Sequence, residues 1–409
     1  MQLSGKMRVI VYSPPLFTLA CSLQLILRYT FDAMRMYKLL LWLSLLTAVI
    51  AATCFMLNNQ YGAAPFLIAA FILAATGVQG YPRFKGFSFT LIIFAATACA
   101  LYFPAAFTSF QGYPLKNLII PLLIIIMFGM GTHMSAKDFI GIIKTPKPVF
   151  VGIVCHYIIM PGIGFWLAYV SHLPPAIAAG IILVGCSPSG TASNVMAYLS
   201  GGNLPLSVTV TALSTLIAPF MTPLLMKLLA GQLVPVNFWD MLWHITQIVI
   251  LPVVAGLIYN WLAHGRFQWL DKILPGVSMG AIALIITLIV AAGRDALLSI
   301  GPILIFLVLI HNLAGYLLGY RLSRLVGLKE DEARTIAFEV GMQNSGLASG
   351  IALTMGRVAT MGLAPAVFSS LQNITASVLA TWWRGKKPVF DDNKKAALQQ
   401  GQALHSHSS

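Results

Sequence analysis

Glu339-Val340-Gly341-Met342-Gln343-Asn344-Ser345-Gly346-Leu347 sets one carboxylate, two amides and a hydroxyl among glycines, inside an otherwise apolar run. The chain has 11 carboxylates in 409 residues, and all the others lie in tails, connections or span ends. A carboxylate at the bilayer centre costs roughly 2.5–3.5 kcal/mol on insertion scales, so it is paired, solvated by a cavity, or used. The two glycines and the polar side chains break a helix, and broken backbone at membrane depth persists only where it is buried in protein or lines a cavity. At such a break free carbonyls coordinate cations and half-helix N-termini face anions. A second polar, Gly-containing stretch runs from Cys186-Ser187-Pro188-Ser189-Gly190 to Thr191-Ala192-Ser193-Asn194. It offers Thr191, Ser193 and Asn194, and the next apolar run adds Ser207 and Thr211, four apart and so on one helix face. With Glu339, Gln343, Asn344 and Ser345 these form a set of hard oxygen donors with one carboxylate to balance charge, which suits Na⁺. Ser, Thr and Asn also serve as hydrogen-bonding glue between membrane helices. That reading fits Ser207 or Thr211 taken alone, but not two breaks together with a carboxylate.

The elements that must position these residues follow from composition. The chain is 58% hydrophobic and 9% charged, with a mean hydropathy of +0.85. Soluble domains carry about 25% charged residues, so this is a polytopic membrane protein lying in a lipid bilayer. The net charge of +14 comes from basic residues scattered in short loops, with no basic aromatic patch. It sets topology and excludes nucleic acid as a partner. The five cysteines, Cys21, Cys54, Cys99, Cys155 and Cys186, fall in apolar runs without metal-ligand spacing and read as small core residues.

Residues 1–36 form a poorly placed N-terminal extension. Lys6 and Arg8 precede an apolar run interrupted by Pro14-Pro15, and no small-residue cleavage site follows, so a signal peptide fits poorly. An upstream extension of the reading frame, with Met34 or Met36 as the working start, is preferred. Spanning-length apolar runs then recur. Leu39–Leu57 and Ala63–Val78, within residues 37–80, are two candidate extra helices. Ten more follow: Phe87–Phe107, Leu118–Thr132, Val149–Val170, Ala176–Leu199, Leu204–Leu229, Trp239–Leu262, Ile273–Ala292, Ile300–Leu322, Ala333–Met355 and Met361–Trp383. Residues 388–409 are polar and read as a disordered cytoplasmic tail.

Lys137, Lys144, Lys147, Arg266, Lys272, Arg321, Arg324 and Lys329 fall in connections on one side of these ten spans. Arg83 and Lys85 before them and Arg384, Lys386 and Lys387 after them share that side. The opposite connections hold only Lys227, Arg294 and Arg357. By the positive-inside rule the N- and C-termini are cytoplasmic and the protein is multi-pass in the cell (inner) membrane. The spans divide into two fives, residues 87–230 and 236–386. An odd number inserts the second half upside down relative to the first. The third span of each half carries a histidine, His156 or His311, and the fourth carries the polar break. Matching interrupted segments in inverted halves point to a transporter site near the midplane. His311-Asn312 reads as structural packing.

Gly190-Thr191-Ala192-Ser193-Asn194-Val195-Met196, Glu339 to Leu347, and Met127-Phe128-Gly129-Met130-Gly131 closely resemble motifs of the bile acid:sodium symporter family, and the resemblance runs in order over about residues 87–384. It implies an all-α, ten-helix inverted-repeat (5+5) transporter with panel and core domains and two broken helices crossing in the core. It assigns one Na⁺ site to Ser193, Asn194, Ser207, Thr211 and Glu339. It assigns a second to Glu339, Val340, Met342 and Gln343, with Val340 and Met342 contributing carbonyl oxygens. Substrate is placed near the crossing, beside Asn344 and Asn373, with Thr191 counted among its contacts. His156 stands where bacterial relatives carry a Gln that ligates the second Na⁺, and so is a candidate sodium ligand here. An imidazole nitrogen is a poorer Na⁺ ligand than an amide oxygen and titrates near neutrality. Coupling to one Na⁺, or partly to H⁺, is therefore open.

The reading is a Na⁺-coupled symporter that imports a small organic anion, a bile-acid-like or pantoate-like carboxylate, with no cofactor beyond Na⁺ as coupling ion. The alternative is a proton-coupled or uncoupled organic anion carrier using Glu339 and His156. A channel would need a continuous pore, against which the paired breaks argue. An intramembrane hydrolase would need His-Glu-x-x-His, paired aspartates or Gly-x-Ser-x-Gly, which the sequence lacks, so the chain is not expected to be an enzyme. A membrane sensor would need a signalling domain, for which the tail is too short.

Overall fold

The computed structural model describes residues 16–81, 84, 86–135, 145–263 and 268–386. The first 15 residues, the polar tail after residue 386, and Arg83, Lys85, Lys137, Lys144 and Arg266 lie outside the described residues. Nearly every described residue is helical. Among the described residues eight helices are long and apolar enough to cross a membrane, and shorter apolar helices accompany them.

Up to Ser88 the chain forms its own compact unit. Here α1 (Leu16–Met56) and α2 (Gln60–Gly77) pair as an antiparallel hairpin. The Asn59 side chain caps α2 by accepting from the Gly62 N–H at 2.9 Å, and the Ser44 hydroxyl donates to the Ala70 carbonyl at 2.8 Å.

The second unit starts at Phe89. Helix α3 (Phe87–Tyr102) stops short of the span expected through Phe107, because Pro104 has no N–H and disfavours helical backbone at Phe103. One helical turn, Ala105–Thr108, and a two-residue antiparallel ribbon then lead into α4 (Ile119–Thr132). Long helix α5 (Pro146–Ser171) precedes the first interrupted span, made of α6 (Pro175–Cys186) and α7 (Ala192–Leu199). Helix α8 (Leu204–Ala230) closes the first half.

The second half opens with α9 (Phe238–Ile245), which passes through a single π turn, Thr246–Ile250, into α10 (Leu251–Ala263). Pro252, which cannot donate into the helical ladder, accounts for that irregularity. Helices α11 (Gln268–Ala292) and α12 (Arg294–Leu325) follow. The second interrupted span is α13 (Glu330–Gly341) and α14 (Ser345–Thr354), and the last is α15 (Leu363–Arg384). The two spans expected to be interrupted, Ala176–Leu199 and Ala333–Met355, are each two half-helices, divided at the polar stretches the sequence singles out.

Within this unit α4 packs on α10 and α11, while α12 packs on α13, α5 and α15. The α4–α10 contact explains the Met127–Gly131 motif. A Cβ on Gly131 would sit 2.2 Å from the Val253 carbonyl oxygen, and one on Gly256 would sit 2.3 Å from that of Phe128. The two backbones approach through reciprocal glycines, as small residues allow between membrane helices. Gly131→Ala is expected to force them apart at a cost of about 1–3 kcal/mol. Thermal unfolding in detergent would check this, and an unchanged midpoint would refute it.

Candidate functional site

Each break begins where the backbone leaves the helix. Ser187, ahead of Pro188, is extended at ψ 154°, and Met342, after Gly341, is extended at φ −101°, ψ 114°. The two extended segments cross as one antiparallel bridge, Ser189 opposite Gln343. The Gly190 N–H donates to the Met342 carbonyl at 3.0 Å, and the Asn344 N–H donates to the Pro188 carbonyl at 2.8 Å. Each break thereby satisfies backbone groups of the other where water cannot. The Asn344 side chain restarts α14 as its N-cap, accepting from the Leu347 N–H at 3.1 Å.

Glu339 sits on the last turn of α13 and is fully buried. Its Oε1 accepts from the Ser193 hydroxyl at 2.6 Å and from the Ser207 hydroxyl at 2.5 Å, and its Oε2 accepts from the Thr211 hydroxyl at 2.7 Å. Asn194 Oδ1 lies 2.8 Å from the Ser207 hydroxyl and 3.2 Å from that of Thr211. The spacing of Ser207 and Thr211 thus does what it predicts, aiming both hydroxyls of α8 at one carboxylate. Three hydroxyls carry one proton each. They make more oxygen–oxygen contacts than they have protons, around a carboxylate that takes part in none of the ion pairs among the described residues. Crowded oxygen lone pairs around an unpaired buried carboxylate have the chemistry of a hard-cation site.

The other candidate residues are placed differently. Both His156 ring nitrogens lie 2.9 Å from carbonyl oxygens, Nδ1 from that of Glu339 and Nε2 from that of Ser187. The ring therefore bridges the two breaks. Gln343 Nε2 donates to the Val340 carbonyl at 2.6 Å, leaving Gln343 Oε1 buried without a partner. The Met342 carbonyl takes the Gly190 N–H at 3.0 Å and the Ser189 hydroxyl at 3.4 Å. Thr191 is exposed beside the crossing, Asn344 and Asn373 are half-buried, and the Asn373 amide donates to the Ser369 carbonyl at 2.8 Å.

A profile of the Sodium Bile acid symporter family matches residues 120–310. The sodium-dependent transporter YocS of Bacillus subtilis, itself uncharacterised, is 40% identical over 310 residues, covering 76% of this chain and 94% of its own. The human ileal sodium/bile acid cotransporter is 32% identical over 300 residues, covering 70% of this chain and 84% of its own. A probable chloroplast sodium/metabolite cotransporter of Arabidopsis thaliana is 37% identical over 272 residues, covering 66% and 68%. The chain belongs to the sodium bile acid symporter family. It is a multi-pass membrane protein in a family of sodium-dependent transporters, as the motifs at the two breaks and in α4 imply.

Several residues that build this family member's site escape a reading of the sequence. The Asn312 amide donates to the Gly341 carbonyl at 2.9 Å and accepts from the Thr375 hydroxyl. The Thr222 hydroxyl donates to the Cys186 carbonyl at 2.7 Å, and the Ser189 N–H donates to the Ser214 hydroxyl at 3.3 Å. Gln372 bonds the backbone of Gln343 through both ends of its amide. The available signal was an adjacent amide pair, Gln372-Asn373, inside an apolar span.

Proposed function

We propose that this protein is a symporter of the cell membrane that brings a small organic anion into the cell together with Na⁺, held by Glu339, Ser193, Asn194, Ser207 and Thr211. The observation that carries the reading is the buried oxygen cluster, with its single carboxylate and fewer protons than contacts. The anion meets the crossing at exposed Thr191 and half-buried Asn344 and Asn373, near the N-terminal ends of α7 and α14, whose dipoles favour negative charge. The relatives' names, a sodium/bile acid cotransporter and a sodium/metabolite cotransporter, support an organic substrate, and the class proposed here is a bile-acid-like or pantoate-like carboxylate. Residues 87–230 and 236–386 act as inverted repeats that alternate access around the crossing, with both termini in the cytoplasm. The test is uptake of a radiolabelled bile acid and of pantoate into proteoliposomes. Accumulation driven by an inward Na⁺ gradient, and not by K⁺, supports the reading. Accumulation on a proton gradient without Na⁺ moves the assignment to a carrier working through Glu339 and His156.

We infer that the second break holds no cation of its own, although Gln343 Oε1 is a buried acceptor left without a partner there. The carbonyls of Glu339 and Val340 each face one side-chain nitrogen, of His156 and Gln343, and that of Met342 accepts from both Gly190 and Ser189. His156 has both ring nitrogens turned to carbonyls, so it directs no lone pair at a cation. The proposed coupling is one Na⁺ per cycle. Na⁺ activation of wild-type uptake is expected to have a Hill coefficient of about 1, rising toward about 2 in His156→Gln. A wild-type value near 2 would contradict the single site.

A further inference from the structure

We infer that Gln372 is a positioning residue for the cation site, through which the last helix fixes the geometry of the second break; this rests on the reading of the Glu339 cluster as the Na⁺ site. Ser189 and Gln343 form a non-hydrogen-bonded antiparallel pair, in which the groups of the flanking residues face the partner strand and the central residue's own N–H and C=O face away from it. At this crossing the Met342 carbonyl and the Asn344 N–H take the first break. The Gln343 N–H and C=O are left as an open sheet edge; the C=O also takes the Ser345 N–H at 2.9 Å, whereas the N–H has no backbone partner and cannot go unpaired at membrane depth. The Gln372 side chain closes that edge. Its Oε1 accepts from the Gln343 N–H at 2.9 Å, and its Nε2 donates to the Gln343 carbonyl at 3.1 Å. A primary amide presents a donor and an acceptor side by side, which is what one exposed residue of a strand requires. The same Nε2 lies 3.4 Å from the Ser345 hydroxyl, on the first residue of α14.

One turn further along the same face of α15, the Thr375 hydroxyl donates to Asn312 Oδ1, and Asn312 holds the Gly341 carbonyl. Gly341 and Gln343 are therefore both fixed from α15, one through Asn312 and one directly. Glu339 lies on the turn of α13 that ends at this clamp. Gln372 is 6% exposed, and Asn373, which follows it in α15, is among the candidate substrate contacts. A shift of α15 on binding an anion would reach the cation ligands through this amide, giving the two sites a shared element to bias.

The experiment titrates thermal unfolding of purified protein with NaCl against KCl at constant ionic strength. It compares wild type, Gln372→Met, Thr375→Val and Gly131→Ala, the last a destabilising change at the α4–α10 contact that alters no residue of the crossing. Gln372→Met keeps length and apolar bulk while removing both bonds. Its Na⁺ midpoint is expected to rise about tenfold and that of Thr375→Val about threefold, as lost hydrogen bonds at a site would give, with Gly131→Ala unchanged. A Gln372→Met protein that unfolds earlier in K⁺ but keeps the wild-type Na⁺ midpoint would make the residue merely structural and overturn the inference. If Gln372→Met does not fold, a wild-type midpoint in Thr375→Val overturns it equally. Absence of any Na⁺ effect in wild type would instead remove the Na⁺ reading itself, and this inference with it.

Discussion

Glu339→Gln is expected to abolish Na⁺-driven uptake while leaving the protein folded. The amide keeps the shape of the carboxyl and can still accept from Ser193 or Ser207, but it removes the only charge in the oxygen cluster. A unit charge about 4 Å from a monovalent cation contributes roughly 4 kcal/mol at the effective dielectric of a protein site. Losing it weakens Na⁺ about a thousandfold. Stability in K⁺ moves the other way. In wild type without Na⁺ the carboxylate is buried with no cationic partner among the described residues, so its neutral isostere is expected to unfold at the same temperature or higher. Uptake assays and unfolding midpoints in both salts check the two halves together. Wild-type Na⁺ dependence in Glu339→Gln would show that the cation binds elsewhere.

Gly190→Val is the second change expected to silence the protein. A Cβ at Gly190 would lie 2.9 Å from the Gln343 carbonyl oxygen and 3.2 Å from its carbon, and both are backbone atoms that cannot rotate aside. The crossing has to open, stretching the Gly190–Met342 and Asn344–Pro188 bonds. Overpacking of this kind costs about 1–3 kcal/mol, which the large apolar core absorbs. The site does not absorb it, because Ser193 and Asn194 lie three and four residues after Gly190 and Glu339 precedes the other strand of the bridge. Displacements near 1 Å cost about a hundredfold at a preorganised site. The expected outcome is a folded, monodisperse protein without Na⁺-driven uptake and without a Na⁺-dependent rise in unfolding temperature. Retention of either at the wild-type level would argue that the two half-helices do not need to touch.

How far these expectations could be read from the sequence depends on the kind of residue. Glu339, Ser193, Asn194, Ser207 and Thr211 stand out because polar groups in apolar runs are costly and therefore meaningful, and helical spacing alone brings Ser207 and Thr211 onto one face. The two breaks are legible for the same reason, as is the division of each interrupted span. What holds the breaks is not legible. Gln372 meets Gln343 across 29 residues and His156 meets Glu339 across 183, and nothing in either local pattern selects those partners. His156 is the clearest case. Its residue type raised doubt about a second cation, but only the geometry sets both nitrogens against carbonyls. Hydropathy carries the α3 span through Phe107, whereas Pro104 ends the helix at Tyr102. There, local backbone chemistry prevails over apolar continuity.

The most direct test of the account is the unfolding temperature of the wild-type protein titrated with NaCl, with KCl holding ionic strength constant. Binding to the folded state alone stabilises it by about 2.7 kcal/mol at a hundredfold excess over Kd. The oxygen cluster predicts a saturable rise in Na⁺, absent in K⁺. Identical unfolding temperatures in the two salts would contradict a Na⁺ site at Glu339.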